Sequence, residues 1–94
     1  MYRITVICER IPSASWPDAL EDVRNEFKCR PWHCVQDVHW SQDTLFLVAV
    51  NDYDEDGEAL ADEFSDIVAA NAPGALGYRV SVISVELLDD APKK

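Results

Sequence analysis

Polar and apolar residues alternate from Tyr2 to Ile11, with Tyr2, Ile4, Val6 and Cys8 on one face and Arg3, Thr5, Ile7 and Glu9 on the other. A period of two rich in β-branched residues predicts a strand. The spacing then becomes helical: Trp16, Leu20, Val23 and Phe27 predict an amphipathic helix running to about Lys28. Ser15-Trp16-Pro17-Asp18 supplies its start, with Ser15 as cap, Pro17 in the first turn and Asp18 completing an S-x-x-D box; Pro31 closes it. Val35 to Trp40 and Thr44 to Asn51 predict two strands joined through Ser41-Gln42-Asp43. Leu45 to Val50 is apolar on both faces, which suits a central strand. Leu60, Phe64, Ile67 and Val68 form the stripe of a second helix, ended by Asn71-Ala72-Pro73-Gly74. Tyr78 to Leu88 is the last strand, and residues 89–94 are a short polar tail expected to fray.

The predicted order is β-α-β-β-α-β. In element order it resembles the ferredoxin-like sandwich, which implies an α+β fold with a four-stranded antiparallel sheet and two helices on one face. At 94 residues and 48% hydrophobic content, a single domain spanning residues 1–94 with a real core is expected. Two helices cover only one sheet face. Ile7 and the outward side of the central strand would leave the other face apolar, so it is expected either to be covered by long polar neighbours or to join a second copy as a homodimer. The opening MYRITVICER alternates and carries charge, unlike a secretory signal, and no stretch approaches the length of a membrane helix. These features predict a soluble, cytoplasmic protein.

Charge sharpens the picture. The net charge is −10, and from Pro31 to Tyr78 there is no Lys or Arg. Ten acids fall there: Asp37, Asp43, Asp52, Asp54, Glu55, Asp56, Glu58, Asp62, Glu63 and Asp66. Elsewhere acids and bases balance, so the middle of the chain carries the whole excess. Such a surface repels nucleic acid and anionic membrane and favours a basic protein surface or a cation.

Residues 52 to 63 fit D-x-[DN]-x-[DN]-G-x5-E and so resemble an EF-hand calcium loop. The resemblance implies Ca²⁺ ligands at Asp52, Asp54 and Asp56, a carbonyl from Glu58, a sharp turn at Gly57 and a bidentate Glu63. It covers these twelve residues only. The incoming element is a strand, Ala59 stands where EF-hands usually place a larger apolar residue, and there is no second loop. The geometry requires the helix to begin near Leu60; a start at Gly57 would carry Glu63 roughly 9 Å away at about 1.5 Å per residue. The alternative use of these acids is to complement the helix N-terminus, with Asp56 as cap.

Cys29, His33, Cys34 and His39 lie close in sequence but lack the C-x2-C spacing of structural zinc sites. Cys8 reads as a buried small hydrophobe, and an odd thiol count argues against a disulfide framework. Cys34 has only Arg30 nearby to activate it. There is no G-x-S-x-G, no P-loop and no phosphate-cradling glycine loop, so no enzymatic activity is expected.

The leading expectation is therefore a small non-enzymatic binding module whose negative face docks on a basic partner through Asp52, Asp54, Glu55, Asp56, Glu58, Asp62 and Asp66. In size, charge and fold class the chain is similar to small inhibitors that imitate nucleic acid, including some anti-CRISPR and other DNA-mimic proteins. The alternatives are a calcium-binding module and a self-associating domain.

Overall fold

The computed structural model describes residues 1–10, 16–71 and 77–88. Its elements are β1 (Tyr2–Glu9), α1 (Trp16–Lys28), β2 (Cys34–Ser41), β3 (Thr44–Asn51), α2 (Glu58–Asn71) and β4 (Arg79–Leu87). β1 stops at Glu9, short of Ile11, because Arg10 adopts a φ of 69°, a left-handed value that breaks a strand. The Ser15 cap, the Ala72-Pro73-Gly74 stop and the 89–94 tail lie outside the described residues, as does the side chain of Trp16.

The strands form one sheet in the order β2-β3-β1-β4, with every neighbouring pair antiparallel. The architecture is α+β: a four-stranded antiparallel sheet and two helices. The doubly apolar β3 is central, as its pattern requires. Register aligns one face. Ile4 lies opposite Ala49 and Val85, Val6 opposite Leu47 and Val82, and Cys8 opposite Leu45 and Val80. Val23 and Phe27 of α1 and Leu60, Phe64, Ile67 and Val68 of α2 join this face in one buried cluster. Each such large side chain taken from water stabilises the fold by about 1.5–3 kcal/mol before entropy is counted.

Two bulges correct simple alternation. Gln36 is an extra residue between Val35 and Asp37, so Val35 pairs with Ala49 on the inner face while Asp37 and His39 lie on the outer one. Ile83 is the extra residue of β4, between Val82 opposite Val6 and Ser84 opposite Thr5. The second bulge brings Val85 inward, where strict period two from Val80 and Val82 would have placed Ser84. Each bulge rescues an apolar residue from solvent at the expense of a local ladder break.

The outer face carries Ile7, Phe46, Val48 and Val50, and long side chains lie over it. Arg3 bonds Glu86 at 2.8 Å on β4 and Gln36 at 3.2 Å on β2, crossing β3 beside Val50. The His39 ring stacks on Phe46 with centroids 5.0 Å apart, and its Nδ1 meets Asp37 at 2.6 Å.

Gly57 joins the acidic loop to α2 with a φ of 78°, and a Cβ there would sit 2.8 Å from Val82 Cγ1 and 3.0 Å from Ile4 Cγ2. Both the backbone and the close approach to the sheet demand glycine. Gly77 has a similar φ of 81° but open space around it. Urea melts of Gly57→Ala should therefore show a loss of about 2–4 kcal/mol, against about 1 kcal/mol for Gly77→Ala. Equal losses would mean that the close approach at Gly57 carries no weight.

Candidate functional site

The acidic loop is held by its own first residues and by a histidine distant in sequence. Asn51, buried at the end of β3, turns its Oδ1 toward the backbone N–H groups of Asp54 and Tyr53, at 2.9 and 3.2 Å. This is the local turn that asparagine favours. Its Nδ2 must then be the atom facing His33, and it donates to His33 Nδ1 at 3.0 Å. The ring's other nitrogen, Nε2, donates to Glu63 Oε2 at 2.6 Å and lies 3.3 Å from the Tyr53 hydroxyl. Glu63 also accepts from Trp32 Nε1 at 3.2 Å and pairs with Arg30 Nε at 2.9 Å. Arg30 in turn bonds the Glu26 carbonyl and carboxylate. The chain of contacts links the end of α1, the start of α2 and the β3–α2 loop.

The carboxyl of Glu63 feels opposed influences. Partial burial pushes its pKa up, but the hydrogen bonds from Trp32 and His33 and the charge of Arg30 outweigh that and hold it below the usual 4.5. Nearby, burial first, then the carboxylates of Glu63, Asp54 and Asp52, push the Tyr53 phenol up.

Asp54 is buried, and its two oxygens accept from Ala59 N at 3.1 Å and Leu60 N at 2.9 Å. Asp56 Oδ1 accepts from Glu58 N at 3.0 Å. Three of the four unpaired N–H groups at the start of α2 are thus satisfied by the loop's aspartates. Asp54 shares the capping that was expected of Asp56 alone, because the turn at Gly57 folds the loop back over the helix end.

The structure does not gather the proposed calcium ligands Asp52, Asp54, Asp56, Glu58 and Glu63. The helix begins at Glu58, which puts Glu63 about 7.5 Å further along it. Its oxygens face Arg30, His33 and Trp32, while those of Asp54 face the backbone. Among the described residues no group of three or more His, Cys, Asp or Glu is arranged to hold a metal ion. The four Cys and His residues separate as well. His33 is buried in the network above, His39 lies on the outer sheet face, and Cys29 and Cys34 are exposed.

Six acids of the proposed partner face do share one surface region. Asp52, Glu55 and Asp56 in the loop and Glu58, Asp62 and Asp66 on α2 are all exposed, and none forms an ion pair within the described residues. Asp54 leaves that set, being buried as a cap. The aromatic side chains of Trp32 and Tyr53 stand half exposed beside this region. Sequence reasoning missed the pairing of His33 with Glu63 and Asn51; the only signal for it was an asparagine placed at a strand end. Among the described residues no helix is long and apolar enough to cross a membrane. No family model, curated protein or solved structure matches the chain.

A carboxyl whose pKa is lowered on folding adds stability above its unfolded value, and that stability is lost as pH falls through the folded one. Glu63→Gln should thus cost about 1.5–3 kcal/mol at neutral pH, and its deficit against wild type should shrink as pH drops below 4.5. Urea melts across that range check this, and a deficit independent of pH would contradict it. Thiol reactivity gives a second check. Burial, helped by Glu9, pushes Cys8 up to about 12. A native-state titration with a disulfide reagent should label Cys29 and Cys34 quickly and leave Cys8 until unfolding.

Proposed function

We propose that this chain is a ferredoxin-like α+β sandwich that works as a small, non-enzymatic, acidic protein-binding module. The strand order, the antiparallel pairing and the single core shared by both helices support the fold assignment. The observation that carries the functional reading is that six exposed, unpaired acids follow one another within residues 52–66. Glu26, Asp37, Glu63 and Glu86 all have basic or imidazole partners, whereas the six exposed acids of the loop and α2 have none among the described residues. Glu58, Asp62 and Asp66 recur every fourth residue, so they form a stripe with about 6 Å between successive charges. A rigid row of unpaired carboxylates is complementary to a protein surface built for phosphates, and the partner is therefore a basic, nucleic-acid-binding surface. Trp32 and Tyr53 supply aromatic contact area at the border of the charge.

Competition tests the reading. Wild-type protein should displace duplex DNA from polylysine at about 50 mM salt, with the effect falling steeply by about 300 mM. The combined variant Asp52→Asn, Glu55→Gln, Asp56→Asn, Glu58→Gln, Asp62→Asn, Asp66→Asn should compete at least about tenfold less well. Equal competition by the two proteins, or competition indifferent to salt, would sink the proposal.

A further inference from the structure

Among the described residues, β4 is the last strand of the sheet and pairs with β1 along one side only. It is nine residues long, with no Pro and no Lys. Sheets usually protect an edge with those residues, with short length or with a covering element, because the unpaired N–H and C=O groups are a template for another strand. Here a bulge at Ile83 and the charged Arg79 and Glu86 near the two ends are the protective devices in the strand, and its middle, Val80 to Val85, carries no charge. β4 also exposes Ile83 (51%) and Leu87 (72%), the most exposed large aliphatic side chains among the described core-forming elements.

Beside this edge, a groove of about 390 Å³ runs between α2 and β4. Most of its lining is polar; Ala61, Val80 and Val82 supply a small apolar patch, and Glu58 and Asp62 stand one helical turn apart beside it. Ser65 and Tyr78 lie at the groove with their hydroxyls 3.0 Å apart; Tyr78 donates to the Ser65 carbonyl, which leaves the Ser65 hydroxyl to donate to Tyr78. Two unpaired carboxylates beside a small apolar patch in a mostly polar groove fit a side chain with a short aliphatic stem contact and a cationic head.

We propose that the β4 edge and the α2–β4 groove form a strand-addition site for an extended, lysine- or arginine-bearing segment of a partner protein. The inference rests on the acidic-module reading and names the form its partner takes. The added segment would lie about 4.8 Å from β4, paired through the main chain. Its alternate side chains then project beside Val80 and Val82, under Glu58 and Asp62, where a cation meets both carboxylates. Its intervening side chains pass toward the outer face. Charge selects the occupant. A second copy pairing β4 to β4 would bring its own Glu58 and Asp62 to a rim that is already negative, whereas a basic segment neutralises it.

The test uses isotope-labelled full chain titrated, at about 50 mM salt, with a capped octapeptide of alternating lysine and valine, read by amide NMR. Shifts should map to β4 and to residues 58–65. Glu58→Gln with Asp62→Asn should weaken binding about tenfold, while Glu21→Gln with Asp43→Asn, at exposed acids outside both proposed surfaces, should change it less than about threefold. Methylating alternate peptide amides should weaken binding about tenfold in one of the two registers, because it removes main-chain donors without altering charge. Shifts confined to residues 52–56, or indifference to amide methylation, would overturn the strand site while leaving the acidic-module reading standing. Concentration-dependent shifts in β4 without peptide would assign the edge to a second copy and overturn it too. No response to this peptide and no competition for polylysine would remove both readings.

Discussion

The His33 side chain has no exposed surface, yet both its ring nitrogens are polar, so each must find a partner inside the protein. Asn51 takes one and Glu63 the other. These partners come from the end of β3 and from α2, and His33 itself follows α1. The imidazole therefore fixes the distance between three parts of the chain. Asn51 can serve it only because its own oxygen is committed to the backbone of Tyr53 and Asp54. That commitment places Asp54 under the first turn of α2, where its carboxylate satisfies two N–H groups. The direction of the helix and the shape of the acidic loop follow from this sequence of bonds.

The arrangement divides the acids into two kinds. Asp54 and Glu63 are held by specific partners and act on the fold, Asp54 as a buried cap and Glu63 through its ion pair with Arg30 and its hydrogen bond from His33. The six others at this end are exposed to water and have no ion-pair partner among the described residues. Mutual repulsion among them costs some stability, and the helix N-terminus offsets part of that cost by favouring negative charge at Asp56 and Glu58. A region dense in acid can thus remain ordered without basic neighbours.

The sheet shows a similar division between its two faces and its edge. Its inner face packs against the helices, except beside β4, where the groove opens over Val80 and Val82. On its outer face Arg3 with its two partners passes beside Val50 and His39 stacks on Phe46, while Ile7, Phe46 and Val48 remain partly exposed. Among the described residues, the β4 edge lacks such cover, and it lies against the groove whose rim is negative. Backbone pairing capacity and unpaired charge meet there.

Periodicity alone determined the six elements, the central place of β3, the burial of Cys8 and the excess of acid in the middle of the chain, because each depends on residues near one another in sequence. Even there, the bulges at Gln36 and Ile83 were hidden: alternation assigns Val35 and Ser84 to faces that only cross-strand register can correct. Tertiary structure decided what the acids do. The spacing of Asp52, Asp54, Asp56 and Glu63 suits a calcium loop on paper, but the start of α2 at Glu58 and the presence of Arg30, Trp32 and His33 beside Glu63 give those oxygens other partners. A motif in sequence specifies which groups are available. The partner each group takes depends on the helix start and on residues some thirty positions away, and neither is set until the chain has packed.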